Sequence, residues 1–273
     1  MKDLRIAVVV CNARVGETRR NLDKLITFVK KARNAAADII CFPELNITGY
    51  SNHALISNIA EPIPGYVSDA LSNLAVANAL LILAGMAEKG NDNRIYATHM
   101  IAMPDGELRT YRKSHIAPPE KEIYSPGNTI PIFTFKESPF GIQLCYDTHF
   151  PELSTKMAIK GAEILFLPHA SPRGLAIDKH RSWMRHLTAR AFDNSVFVVA
   201  CNQTGYNGKA SRSLEMPWCW IQPETLSDKA SAAGKPCCSW ISRPKPLTLS
   251  AATACIFFFP TDGRNYMMMS GKP

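Results

Sequence analysis

The 273-residue chain has no apolar run long enough to cross a bilayer, which excludes a helical membrane protein. It also lacks an apolar leader after Met1: Met1-Lys2-Asp3 passes directly into a strand-like stretch, so a cytoplasmic location is expected. The eight cysteines have no framework spacing, which excludes a disulfide scaffold and predicts reduced thiols. The seven histidines have no ligand-like spacing, and His149 and His169 read as pocket wall or as hydrogen-bonded residues rather than metal ligands. Acidic residues are outnumbered, 23 against 31 basic ones, leaving a net charge of +8. The excess is scattered, with short pairs such as Arg19-Arg20 and Lys30-Lys31 and no stripe interleaved with aromatics, so nucleic-acid binding is not expected. No Pro- or Gly-rich linker divides the chain, and its length suits one large core.

What is present is alternation. Residues 4–10 read as a strand, 18–37 as an amphipathic helix with Leu22, Leu25, Ile26 and Val29 on one face, and 38–42 as a second strand. A helix near 68–79 is followed by strands at 81–87 and 95–103, and Asp105-Gly106 signals a hairpin leading to Lys113. Beyond residue 145 the pattern predicts a helix near 151–160, a strand at 163–167, a helix near 178–193 and a strand at 196–201. Strands in hairpins mixed with helices imply an α/β protein with two sheets covered by helices.

Three strand ends carry reactive groups. Cys145 closes the apolar run Phe140-Gly141-Ile142-Gln143-Leu144 and precedes the helix-like His149-Phe150-Pro151-Glu152, an arrangement that presents a nucleophile at a sheet edge. Glu44 stands just past Ile39-Ile40-Cys41-Phe42-Pro43, and Lys113 ends the run from Leu108. Taken singly, each has a bland reading: a buried core thiol, a helix-start carboxylate and a solvated lysine. A thiol, a carboxylate and an ammonium together suffice for thiol-based amide hydrolysis. Asp147 reads as structural, paired with an arginine such as Arg173.

The segments FPELNITGY around Glu44, YRKSHI around Lys113 and LCYDTHFPE around Cys145 resemble, in order and separation, the three signatures of the nitrilase, or carbon-nitrogen hydrolase, superfamily. Further matches are PPEKEIYSPG around Glu120, PHASPR at 168–173, Trp183 ahead of TARAFDN, and CNQTGYNG at 201–208; the resemblance runs from Met1 to about Lys209. It implies a four-layer α-β-β-α sandwich assembled into homodimers or larger oligomers. It also implies that Glu44 is the general base, Lys113 stabilises the oxyanion, Cys145 is the nucleophile, and Glu120 is the second carboxylate, with Glu122 as competitor. No metal or organic cofactor is implied. Tyr50, Tyr146, His169 and Trp183 are expected pocket residues by position. The implied activity is hydrolysis of a small linear amide or N-carbamoyl compound, akin to an N-carbamoylputrescine amidase, through a thioester with release of ammonia. A catalytically silent binding protein and an acyltransferase are the alternatives.

The tail carries a different message. Beyond about residue 212, Trp218, Cys219, Trp220, Cys237, Cys238, the Phe257–Phe259 run and the Met267–Met269 run follow no stable period, and the family pattern is absent. Back-translation one base earlier turns 218–224, 236–243 and 260–269 into segments compatible with the family's last strands and ending. We therefore expect a hydrolase unit over 1–211, and over 212–273 a tail altered by a one-base frameshift near 209–213 that leaves a sheet edge open.

Overall fold

Ile6 and Val8 face one side of the first strand and Ala7 and Val9 the other, and all four are buried. That is the pattern of a strand covered on both faces. The computed structural model describes residues 4–171, 176–206, 212–213, 254–258 and 267–269. In chain order they form β1 (Arg5–Val9), α1 (Thr18–Asn34), β2 (Ile39–Cys41), α2 (Tyr66–Asn78), β3 (Leu81–Lys89), β4 (Ile95–Ala102) and β5 (Leu108–Arg112). There follow β6 (Phe133–Phe135), β7 (Ser138–Ile142), α3 (Pro151–Ile159), β8 (Ile164–His169), α4 (Ala176–Asn194) and β9 (Phe197–Asn202). The last strands are β10 (Gly205–Tyr206), β11 (Arg212–Ser213), β12 (Ala254–Phe258) and β13 (Met267–Met269).

Two sheets result. The larger has seven strands in the order β13-β12-β1-β2-β3-β4-β5, and the smaller has four in the order β6-β7-β8-β9. Leu22, Leu25, Phe28 and Val29 of α1, with Val67, Leu71 and Ala75 of α2, cover the outer face of the larger sheet. Between the sheets, Ile6, Val8, Ile39 and Leu83 meet Phe140, Ile142, Ile164 and Phe166, and the same cluster runs on to Leu153 and Met157 of α3 and Leu187 and Ala191 of α4. The layers are therefore α-β-β-α, as expected. Fully burying apolar side chains of this size contributes roughly 1.5–3 kcal/mol each before chain entropy is offset.

The helix and strand expectations hold to within a few residues. The hairpin lies between β4 and β5, where Gly106 takes a φ of 93° that a side chain would strain. Residue 211 and the back-translated segments at 218–224 and 236–243, with Trp218, Cys219, Trp220, Cys237 and Cys238, lie outside the described residues, as does most of 260–269. At β1 the sheet continues into the tail: β12 pairs with it in parallel, from Arg5 against Ala254 to Val9 against Phe258. The β-prone run Ala254-Cys255-Ile256-Phe257-Phe258 can satisfy the row of main-chain groups that β1 offers, whatever the history of the tail.

Candidate active site

The reactive groups come from the segments just past three strands: Glu44 after β2, Lys113 after β5 and Cys145 after β7. After β2 the chain turns at Glu44 and is pinned to β3: the Gly85 N–H donates to Asn46 Oδ1 at 2.8 Å and the Ile47 N–H to the Gly85 carbonyl at 3.0 Å. A Cβ on Gly85 would fall 2.7 Å from the Leu45 nitrogen, so this close approach requires glycine. Leu45 itself has a φ of 52°, a left-handed conformation costly for a side-chain-bearing residue and maintained here by the contacts on either side.

Cys145 has the same strained backbone, with a φ of 43°, at the start of a short 3-10 turn, Cys145–His149, that precedes α3. The helix expected from residue 151 is present, but the thiol sits on this tight turn, half-buried. Asp147, fully buried, organises the turn. It accepts from the Leu144 N–H at 2.9 Å, the Tyr111 hydroxyl at 2.8 Å and the His115 N–H at 2.8 Å, and it meets His115 Nδ1 at 2.8 Å. Among the described residues Asp147 is met by a tyrosine, a histidine and main-chain amides, and Arg173, named as its expected partner, lies outside them. His115 in turn stacks on Phe150, ring centroids 3.7 Å apart. This latch ties the Cys145 turn to the strand end that carries Lys113.

Asp147→Ala should therefore leave several buried donors unpaired, at a cost of about 2–4 kcal/mol in unfolding free energy. It should also slow alkylation of Cys145 by an amide-bearing reagent. Denaturant melts and mass-spectrometric labelling measure the two effects separately. A variant with parental stability and labelling would show that the turn holds its shape without Asp147.

Lys113 lies immediately past β5. Its ammonium donates to Glu44 Oε1 at 2.7 Å and to Glu120 Oε2 at 2.9 Å, and all three side chains are buried. The second oxygen of Glu44 accepts from the Ala170 N–H at 3.1 Å, and its main-chain carbonyl accepts from Gln203 Nε2 at 2.7 Å. Glu120, not the competitor Glu122, reaches the lysine: Glu120 is 4% exposed, whereas Glu122 points to solvent. Cys145 lies within electrostatic reach of Glu44, Lys113 and Glu120. Glu44, Lys113, Glu120 and Cys145 are thus gathered at one rim from four separate segments.

The charges explain one another. Burial raises the Glu44 pKa to about 7, with the Glu120 charge adding to the rise and Lys113 opposing it. Burial pulls the Lys113 ammonium down, but the carboxylates of Glu44 and Glu120 outweigh it and hold the pKa well above the ordinary lysine value. The Cys145 thiol is pushed up to about 12, first by burial and then by the Glu44 charge. At neutral pH the resting site therefore holds a thiol beside a carboxyl group balanced between its two protonation states.

The expected pocket residues are placed unequally. Tyr50 is half-buried, and its phenol is held far above its ordinary pKa by burial and by the facing charges of Glu120, Glu44 and Cys145. His169 and Trp183 are buried and packed on each other, centroids 4.2 Å apart, while His169 Nδ1 lies 2.7 Å from the Leu167 carbonyl. Tyr146 packs edge-on to Phe150 and beside the exposed His149. Among the described residues no group of three or more His, Cys, Asp or Glu side chains is placed to hold a metal ion, and no helix is long and apolar enough to cross a membrane. Sequence reasoning missed Ala170, Gln203, Asn202 and Lys179, all brought to this rim by folding. Only the bare motif matches at PHASPR and CNQTGYNG hinted at the first three.

The sequence profile of carbon-nitrogen hydrolases matches residues 5–221. The chain belongs to this family. It is 31% identical over 195 residues to a 2-oxoglutaramate amidase of Bacillus subtilis, covering 70% of this chain and 73% of the relative. It is 32% identical over 190 residues to an N-carbamoylputrescine amidase of Solanum lycopersicum, covering 65% and 63%. The fold matches that of an amidase from Nesterenkonia sp. with a TM-score of 0.71 at 22% identity, covering 81% of this chain and 83% of that one. As a carbon-nitrogen hydrolase, the chain has relatives of amidase and nitrilase type, and its sandwich is the nitrilase fold.

Proposed function

We propose that the chain hydrolyses the terminal C–N bond of a small linear amide or N-carbamoyl compound through a thioester at Cys145. The observation that carries this reading is the buried Glu44–Lys113–Glu120 relay, linked by contacts of 2.7 and 2.9 Å, beside the half-buried thiol. In the first half-reaction Glu44 takes the thiol proton as sulfur attacks the carbonyl carbon, then passes that proton to the departing nitrogen, so ammonia leaves and the thioester forms. In the second, Glu44 takes a proton from water, hydroxide adds to the thioester, and the thiolate leaves and recovers the proton. A carbamoyl substrate releases carbon dioxide as well.

The oxyanion of each tetrahedral intermediate is met by Lys113 and by the Tyr146 N–H. An ammonium has three donors, and Glu44 and Glu120 occupy two of those of Lys113, which leaves one for the developing charge. Such a donor is worth on the order of 3 kcal/mol in the transition state. Glu120 keeps the lysine charged and aimed. Tyr50, Tyr146, His169 and Trp183 would bound the acyl portion of the substrate.

The test is ammonia release by purified protein from short primary amides, N-carbamoyl compounds and nitriles, beside the Cys145→Ala variant. Release from amides that the variant loses supports the proposal. Equal release by both proteins, or none from folded parent protein, rejects it. We further propose residues 1–211 as the hydrolase unit and a frameshifted 212–273. An intact reading frame shared by resequenced DNA and related strains would overturn that assignment.

A further inference from the structure

A second cation, Lys179, stands on a wall of the same rim formed by α4. Lys179, Trp183 and His186 recur at helical spacing on α4, so they share one face. Trp183 anchors that face on His169 at the end of β8, and His186 stacks on His149 at 5.0 Å. Lys179 Nζ donates to the Ser171 hydroxyl. Ser171 is fixed in turn by Asn202, whose Oδ1 accepts from the Ser171 N–H at 2.9 Å and whose Nδ2 donates to its carbonyl at 3.3 Å. The residue before it is Ala170, whose N–H touches Glu44. The Lys179 ammonium is therefore held one short span of chain from the base and the nucleophile.

Its charge is not balanced as that of Lys113 is. Lys113 sits between two carboxylates, whereas among the described residues Lys179 has only a hydroxyl partner. The acid next to it in sequence, Asp178, is exposed and lies 3.9 Å from Arg181. Half-buried, Lys179 has its pKa lowered by desolvation, with the Cys145 charge acting against that fall. A partly desolvated ammonium without a counter-ion favours an anion. The remaining ionisable groups of this wall are His149, His169 and His186, all held below their ordinary pKa, first by burial, and Arg190 further along α4. None of them supplies negative charge.

We propose that Lys179 is a specificity-determining residue that binds a carboxylate on the acyl portion of the substrate. The substrates are then monoamides of short dicarboxylic acids or N-carbamoyl amino acids, in both of which the carboxylate stays on the enzyme-bound acyl group after ammonia leaves. Uncharged amides fit less well, and amides ending in an ammonium are repelled. The inference rests on the hydrolase reading above, and its test separates the two.

The measurement is kcat/KM for three primary amides of matched length ending in a carboxylate, a methyl group or an ammonium (succinamate, butyramide and 4-aminobutyramide), with N-carbamoylglycine as a fourth. For the parent protein the carboxylate-to-methyl ratio should be about 10–100, as for a charge-assisted hydrogen bond made in a partly buried pocket, and the ammonium substrate should be the poorest. Lys179→Met should collapse that ratio mainly through KM, Lys179→Arg should restore part of it, and Lys179→Glu should favour the ammonium end. Comparing succinamate with N-carbamoylglycine tells which carboxylate class is used. Butyramide turnover with no carboxylate preference, or an unchanged ratio in Lys179→Met, overturns the role of Lys179 and leaves the hydrolase reading standing. Silence on all four substrates removes both. Should the methionine variant fail to fold, the parental ratio together with the arginine variant still decides.

Discussion

On the proposed mechanism Cys145→Ala is expected to lower kcat for ammonia release by about 10,000-fold or more, because the thioester is formed on that sulfur. The loss should fall on turnover and leave substrate affinity nearly intact, since the pocket walls, the Glu44–Lys113–Glu120 relay and the Asp147 latch do not depend on the sulfur. Calorimetric titration of an amide into the variant, beside steady-state kinetics of the parent, separates the two quantities. The thiol in the resting site is protonated, with its pKa pushed up to about 12 by burial and by Glu44. Alkylation should therefore be slow with a small neutral reagent and fast with one carrying an amide that engages Lys113. Cys11, Cys41 and Cys201 are buried in the folded protein and should stay unlabelled. Turnover surviving in Cys145→Ala at more than about one part in a hundred would place the nucleophile elsewhere.

Glu44→Gln should cost about 100- to 10,000-fold in kcat, the range for removing a positioned general base. It should also abolish a feature of the pH profile. Glu44 must be ionised to take the thiol proton, and its pKa is raised to about 7, so parental kcat/KM should rise with pH and level off above about 7. The midpoint belongs to the coupled set of Glu44, Lys113 and Glu120 and moves with any of them. The residual activity of Glu44→Gln should lack this limb.

Stability should respond in the opposite sense to activity. Because folding raises the Glu44 pKa, the folded state favours the protonated carboxyl, so this group's contribution is fully present below its unfolded value near 4.5 and is lost as pH rises through about 7. Above pH 7 the glutamine variant, which has no charge to bury at this position, should melt no lower than the parent. Lys113 keeps Glu120 as its partner in that variant. Thermal melts at pH 5 and pH 8 check the sign: a variant markedly less stable at pH 8 would mean that Glu44 is there to hold the fold rather than to move protons.

Much of the molecule was legible in local pattern. The unbroken apolar run Ile6-Ala7-Val8-Val9 marked a strand buried on both faces, and the stripe of Leu22, Leu25 and Val29 marked a helix by its period, because burial of one face imposes its own repeat. Glu44, Lys113 and Cys145 stood out since each follows a strand-like run, and strand ends are where a sheet can present a side chain without losing its ladder. The motif words around them brought in the rest of the relay.

What the tertiary structure alone decided are contacts between residues far apart along the chain. Glu44 is held by Lys113, 69 positions away, by Ala170 at 126 and by Gln203 at 159, and none of these spacings has a local periodic signature. Glu120 and Glu122 are equivalent in composition and nearly so in position. The three-residue turn ending at Glu120 buries one carboxylate on the lysine and turns the other to water. Asp147 read as a structural residue paired with an arginine, yet its partners Tyr111 and His115 come from β5 and the segment after it, and Lys179 was one charge among many until α4 packed Trp183 against His169. Local sequence determines which groups can be presented, because period and turn chemistry act over a few residues. Which of them meet is set by how the layers close, since buried charge is tolerated only where distant segments supply its partners.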